Sequence, residues 1–318
     1  MTETLKKSFG QHLLKNPGII TALIEKARIR PTDTVLEIGP GTGNLTLKLL
    51  ERAKKVVAVE KDKKIATDLL KRVGQKRRKL QLVIGDAIEV DYPEFDLCIS
   101  NTPYQISSPL TFKLLTYPFK AAILMFQREF ALRLCATPAD PYYCRLSVSV
   151  QIRANVQHIM KVSKKSFRPP PKVESSIVRI EPKRHQPNIN LNEFDGLVRL
   201  CFSRKNKTIG SIFRQTAIKN LIFRNTQAES SEGVPAGEGV FGVVGSPDFT
   251  EDPNDDGSSD GEGNDLAEQE PLPPVNEQAL RRALEESGFE KERAAKMTVE
   301  DFLFLLIKFK ENGVSFSA

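Results

Sequence analysis

Five short apolar runs between residues 34 and 126, alternating with helix-patterned stretches, constrain this chain more than any other feature. The runs are TVLEIG (34–39), KVVAVE (55–60), LQLVIGD (80–86), DLCISN (96–101) and AAILMF (121–126). Their length and their Val and Ile content suit buried strands. Segments such as NLTLKLLERA, DKKIATDLLKRV and SPLTFKLLTY between them repeat apolar residues at helical spacing. Strands joined through helices require right-handed crossovers, so the fold class is α/β with a mostly parallel sheet. Two further runs, VQHIMKV (156–162) and SSIVRIE (175–181), are joined by SKKSFRPPPKVE. That linker is too short for a helical crossover, so an antiparallel strand is predicted at one edge of a seven-stranded sheet.

Beyond this region the pattern changes. Residues 192–224 are basic and helical in period, whereas residues 225–275 hold 13 acidic side chains and no Lys or Arg. A segment of that composition buries too little apolar surface to offset the entropy of ordering it, and a disordered acidic insert is expected there. Helical periodicity resumes in NEQALRRALEESG and VEDFLFLLIKFKENG. The 318 residues are enough for two cores, which suggests a first domain over 1–185 and a helical one over 186–318, interrupted by the insert.

Charge is distributed unevenly. Residues 1–224 carry 40 Lys and Arg against 19 Asp and Glu, while the chain as a whole has a net charge of +7. So basic a body fits a polyanionic partner such as RNA, although lysines that only solubilise a surface would look the same. The run KRVGQKRRK (71–79) offers phosphate contacts or only solvated side chains, and QKRRK (75–79) within it an import signal. No run of eighteen apolar residues occurs and MTETLKKSFG lacks an apolar leader, so a soluble intracellular protein without a membrane role is expected. Cys98, Cys135, Cys144 and Cys201 form no C-x-x-C pair, and His12, His158 and His185 are scattered. No metal site is predicted, and the cysteines read as buried thiols.

The first strand runs into EIGPGTG (37–43), followed by a helix. Glycines at Gly39, Gly41 and Gly43 let backbone turn sharply and approach a ligand, and the helix start presents free N–H groups. The second strand ends at Glu60, 21 residues beyond Gly39, where a carboxylate can accept both ribose hydroxyls of a nucleoside. Asp86 closes the third strand and suits an adenine amino group. Singly, each could be a loop residue or a helix cap; on three successive strand ends they point to a nucleoside site.

The fourth strand enters Asn101-Thr102-Pro103-Tyr104. The exocyclic amine of adenine is a poor nucleophile because its lone pair is delocalised into the ring. Attack on a sulfonium methyl needs the lone pair turned out of plane. The Asn101 side-chain carbonyl, with a backbone carbonyl at Thr102 or Pro103, can accept the two amine hydrogens. Pro103 stiffens the local backbone, and Tyr104 offers a ring for the base to stack on. A strand-end turn built from Asn and Pro is the plainer alternative. Phe167, beside three prolines, would supply a second face opposite Tyr104 or would simply support the loop.

These motifs, with KKSFGQHLLKN (6–16) and FRPPPKVESS (167–176), resemble the ribosomal RNA adenine dimethyltransferases over residues 5–224 and again near the end of the chain. SRKNKTI (203–209) and ISSPL (106–110) are similar to the eukaryotic branch. The resemblance implies a Rossmann-like methyltransferase fold with a small helical C-terminal domain, and S-adenosylmethionine as cofactor. It places His12, Leu14, Gly39, Gly41, Glu60, Asp86 and Asn101 on that cofactor. Asn101, Pro103 and Tyr104 become catalytic, and Tyr104 and Phe167 hold the target base. It implies N6-dimethylation of two adjacent adenosines near the 3′ end of small-subunit rRNA, by a monomer acting in the nucleus and nucleolus on a pre-ribosomal particle. Thr102 departs from the leucine of bacterial members, and the acidic insert has no counterpart there. Two other readings stay open: an enzyme of the same fold acting on DNA or large-subunit rRNA, and an assembly factor whose binding outweighs its catalysis.

Overall fold

The structure, a computed structural model, describes residues 13–231 and 274–316. His12 and most of the predicted acidic insert lie outside the described residues. Chain contacts divide the protein into two units, residues 1–135 with 153–185, and residues 136–152 with 186–318.

In the first unit, β1 (Leu13–Leu14) leads to α1 (Pro17–Ala27), which starts where Asn16 accepts a 3.0 Å hydrogen bond from Gly18 N and Pro17 presets the first helical φ. The alternation then proceeds through β2 (Thr34–Ile38), α2 (Asn44–Arg52), β3 (Lys55–Glu60), α3 (Lys63–Val73), β4 (Leu80–Ile84), β5 (Leu97–Asn101), α4 (Ser107–Leu114), β6 (Ala121–Gln127) and α5 (Arg128–Cys135). β7 (Ala154–Val162), β8 (Phe167–Arg168) and β9 (Ser175–Pro182) complete it. Seven strands form one sheet in the order β4-β3-β2-β5-β6-β9-β7, parallel from β4 to β6. Its central strands are covered on both faces: Val56, Val57, Ala58 and Val59 of β3 are at most 1 % exposed, as a parallel sheet between helices requires.

The antiparallel strand is not at the edge. β9 runs antiparallel to both β6 and β7, and lies between them. β7 follows a long excursion of the chain through the second unit, which frees it to run in the direction of β6. The short proline linker then folds β9 back into the gap between the two. A pairing not foreseen joins β8 to β1, Leu13 opposite Arg168 and Leu14 opposite Phe167.

The second unit is helical: α6 (Arg145–Gln151), α7 (Leu191–Phe202), α8 (Ile209–Phe213), α9 (Thr216–Ser231), α10 (Pro274–Ser287) and α11 (Val299–Glu311). Its core gathers Phe194, Leu197, Phe213, Phe302, Leu305 and Phe309. The buried Glu193 carboxylate accepts from Ser315 Oγ at 2.5 Å and Phe316 N at 2.9 Å. Residues 136–152 belong here because Tyr143 is buried and donates to Met297 O at 2.8 Å. α9 continues to Ser231, so the stretch expected to be disordered from residue 225 is helical in its first turns. The buried Asn225 is tied down there, its Nδ2 donating to Phe316 O at 3.3 Å.

Cys98 and Cys201 are buried thiols, whereas Cys135 and Cys144 are only partly covered. Among the described residues no three His, Cys, Asp or Glu side chains gather as a metal would require, and no helix is long and apolar enough to cross a membrane.

Candidate active site

Parallel pairing brings the carboxyl ends of β4, β3, β2 and β5 together. Register sets Ile38 beside Val59 and Glu60 beside Ile84, while Asn101 pairs with Met125 at the end of β6. The loop after β2 turns on Gly39 (φ 63°) and Gly41 (φ 54°), both in the left-handed region that favours glycine. Gly39 N donates to Val59 O at 2.9 Å, which folds the loop back over β3.

Gly39 also meets the strand on its other side. A Cβ there would lie 3.2 Å from Pro103 Cγ and 3.4 Å from Pro103 Cδ. Gly39 and Pro103, 64 residues apart in sequence, therefore lie close together, and a side chain at Gly39 would crowd the proline. Ser100 Oγ donating to Ile38 O at 2.5 Å fastens β5 to β2 just below this contact.

Glu60 is 8 % exposed. Its carboxylate accepts from Asp62 N at 3.1 Å and from Gly41 N at 3.4 Å, so the acid and the glycine loop hold each other. Burial raises its pKa, opposed by those backbone hydrogen bonds. Asp86 is in a different setting: Lys61 Nζ lies 2.7 Å from it and Ile88 N donates at 2.9 Å, and the lysine contact foremost holds its pKa down. An ionised carboxylate has about four lone-pair positions, so these bonds leave Asp86 able to accept from a ligand amine. Leu14 is buried, and its carbonyl accepts from Asn44 Nδ2 at 3.0 Å, which fixes β1 to the start of α2. A cradle that a Cβ would fill, beside two carboxylates at strand ends, fits an adenosine-bearing cofactor with Gly39, Gly41, Glu60 and Asp86 around it.

At the catalytic motif, Asn101 is partly exposed and Thr102 is buried at 2 %, its N donating to Met125 O at 3.2 Å. The threonine side chain occupies an interior position, and its buried Oγ1 has no hydrogen-bond partner among the described residues. Pro103 O accepts from Ile106 N at 3.2 Å, and Tyr104 O from Ser107 Oγ at 2.8 Å, which winds the chain into α4. Tyr104 is half-buried; its hydroxyl lies 2.5 Å from Ser175 Oγ, and burial raises the phenol pKa. That bond anchors the ring by its polar end to β9.

Phe167 departs from expectation. It is 2 % exposed and belongs to the hydrophobic cluster that includes Leu14 and Val162. The pairing of β8 with β1 carries the ring inward, so here it packs under the loop and offers no open face to a base. Sequence reasoning missed Ser175 and Ser100, whose roles depend on strand register. It also passed over Glu37, a buried carboxyl that burial pushes up to about 8.

Comparison with known proteins agrees with this geometry. A model of the ribosomal RNA adenine dimethylase family matches residues 2–236. A dimethyladenosine transferase of Schizosaccharomyces pombe is 56 % identical over 241 residues, covering 74 % of this chain and 78 % of its own. A ribosomal RNA small subunit methyltransferase of Arabidopsis thaliana is 44 % identical over 332 residues, covering 98 % of this chain and 92 % of its own. The crystal structure of a dimethyladenosine transferase from Plasmodium falciparum superposes with a TM-score of 0.78 and 37 % identity, over 96 % of this chain and 100 % of that one.

Proposed function

Since the chain belongs to the ribosomal RNA adenine dimethylase family and is an S-adenosylmethionine-dependent rRNA adenine N6-dimethyltransferase, we propose that its target is a pair of adjacent adenosines near the 3′ end of small-subunit rRNA. The name of the Arabidopsis relative supports the choice of subunit. The observation that carries the reading is the contact of Pro103 with Gly39, which sets the base-holding motif against the cofactor loop.

S-adenosylmethionine, when bound, supplies an electrophilic methyl group. Gly39, Gly41, Leu14, Glu60 and Asp86 are assigned to holding it, with His12 and Asn101. Glu60 is suited to the ribose because its acceptor oxygens are buried and already oriented by backbone N–H groups. Asn101 Oδ1 accepts one hydrogen of the target amine. The backbone carbonyl of Thr102 or of Pro103, the latter already accepting from Ile106 N, takes the other. Holding both hydrogens out of the ring plane turns the lone pair towards the methyl. No strong base is needed, because the methylated ammonium is acidic and sheds its proton readily. Catalysis is thus positioning plus oriented dipoles. Tyr104, pinned through Ser175, supplies the stacking face, and Phe167 stays in the core.

The proposed setting is a monomer acting on a pre-ribosomal particle in the nucleus and nucleolus, with a part in small-subunit biogenesis. Mass spectrometry of rRNA from cells lacking the protein tests the target: two adjacent N6-dimethyladenosines near the 3′ end of the small-subunit rRNA should be missing. Their persistence, or loss of a large-subunit mark in their place, would overturn the assignment.

A further inference from the structure

The amino ends of the strands carry a strong charge that the mechanism does not use. Lys54 precedes β3 and Lys55 opens it, while Lys76, Arg77, Arg78 and Lys79 end the 3-10 turn Gly74–Lys79 that precedes β4. Parallel register sets Val56 beside Leu80, so these two segments lie side by side and all six side chains are exposed. The nearby acids are engaged: Glu51 is shared between Lys48 at 3.2 Å and Lys76 at 3.0 Å, and Asp33 and Asp96, at the amino ends of β2 and β5, both pair with Lys120. Some of this charge serves the fold, since Lys79 Nζ donates to Ala53 O at 3.3 Å and Lys55 Nζ to Gln81 Oε1 at 2.5 Å. Arg77 and Arg78 serve no such purpose: among the described residues their side chains have no ion pair or hydrogen bond.

From Lys55 to Glu60 a strand rises about 3.3 Å per residue, so this surface lies about 17 Å from the cofactor edge, at the opposite end of the sheet. RNA that reaches this surface while presenting adenines at the carboxyl edge must extend beyond the target nucleotides themselves. The turn is also held by hydrogen bonds on either side, which suits a fixed landing surface rather than a linear peptide signal read in extended form. Arginine guanidinium groups bind phosphate in bidentate fashion and are the more effective for being unpaired.

We propose that the amino edge of the sheet is a second RNA-binding surface, centred on Arg77 and Arg78, that grips the phosphate backbone of helical rRNA flanking the target loop. This rests on the reading that the substrate is structured rRNA. The test uses the full chain and its Arg77→Glu/Arg78→Glu variant, with an unchanged circular dichroism spectrum and melting temperature as the check on folding. Two RNAs are titrated: a hairpin containing only the target loop, and a longer small-subunit fragment with its neighbouring helices. The variant should bind the longer RNA at least tenfold more weakly at low salt. Its slope of log affinity against log salt should be shallower by about 2, since each duplex phosphate contact contributes about 0.9. Affinity for the hairpin and its rate of methylation should stay as in the parent protein. Unchanged affinity and slope on the longer RNA would overturn the proposal. So would a defect confined to binding a protein such as a nuclear-import receptor. Binding is the readout, so a parent protein that methylates neither RNA would refute the assigned target while the surface is still judged.

Discussion

Glu37→Gln should remove a pH dependence that lies in the strand feeding the glycine loop. Glu37 is 2 % exposed, and its Oε2 has no hydrogen-bond partner among the described residues. Burial foremost, opposed by the neighbouring Thr46 hydroxyl and reinforced by the Glu60 carboxylate, lifts its pKa from 4.5 to about 8. The unfolded chain ionises this carboxyl near 4.5 and the folded chain only near 8, so the folded state holds the proton more tightly. The resulting stabilisation is full below pH 4.5, drains as pH rises and is gone above pH 8. One pKa unit corresponds to about 1.4 kcal/mol, so the whole window is worth roughly 5 kcal/mol. Glutamine keeps the shape and cannot ionise. Between pH 5 and pH 8 the parent protein should therefore lose roughly 4 kcal/mol more unfolding free energy than the variant. The chain has no tryptophan, so urea unfolding is best followed by far-ultraviolet circular dichroism. Titrating groups remote from Glu37 are common to both proteins and cancel in the difference, whereas the coupled Glu60 cancels only in part. Parallel stability curves for parent and variant across this range would refute the reasoning.

Other substitutions separate the roles assigned around the site. Glu60→Ala should weaken S-adenosylmethionine binding by roughly 1–3 kcal/mol through loss of charge-assisted hydrogen bonds to the ribose, read by calorimetric titration. Unchanged affinity would remove Glu60 from the site. Asn101→Ala should lower methyl transfer by tenfold or more, with cofactor affinity changed far less, because its main work is done in the transition state; parallel losses in both would deny that role. Tyr104→Ala should impair transfer through lost stacking, whereas Tyr104→Phe, which keeps the ring and loses the hydroxyl contact with Ser175, should keep most of it; equal loss in the two would mean that anchoring, not the ring, matters. Gly39→Ala must adopt a positive φ and crowd Pro103, so it should cost about 1–2 kcal/mol from backbone strain alone and slow methyl transfer. An alanine variant with parent turnover would show that the approach of the two loops is not needed.

Much of the first unit was legible because its signals are local. Five apolar runs separated by helical or polar stretches specify the parallel strands, and EIGPGTG, Glu60, Asp86 and the Asn101–Tyr104 motif sit where strand ends must converge. What escaped depends on contacts between distant segments. The place of β9 between β6 and β7 follows from pairing partners that no local pattern records. Assignment of residues 136–152 to the helical unit needs Tyr143 to find Met297 O, 154 residues away. Phe167 read as an open aromatic because the two-residue pairing of β8 with β1 is too short to leave a periodic trace. Acidic composition from residue 225 suggested disorder, yet Asn225 finds Phe316 O and α9 runs on to Ser231. Ser175 became part of the site only through register, since nothing about Ser-Ser in a strand marks one of them as the partner of a tyrosine.

The central claim is that this chain turns adenosine into N6-dimethyladenosine by holding the amine at Asn101. Its most direct test is to incubate the purified protein and its Asn101→Ala variant with methyl-labelled S-adenosylmethionine and a small-subunit rRNA fragment, then digest the RNA to nucleosides for mass spectrometry. The parent protein should place the label in N6-dimethyladenosine, and the variant should place almost none there. Label recovered in a different nucleoside, or in N6-dimethyladenosine at equal rates from both proteins, would contradict the account.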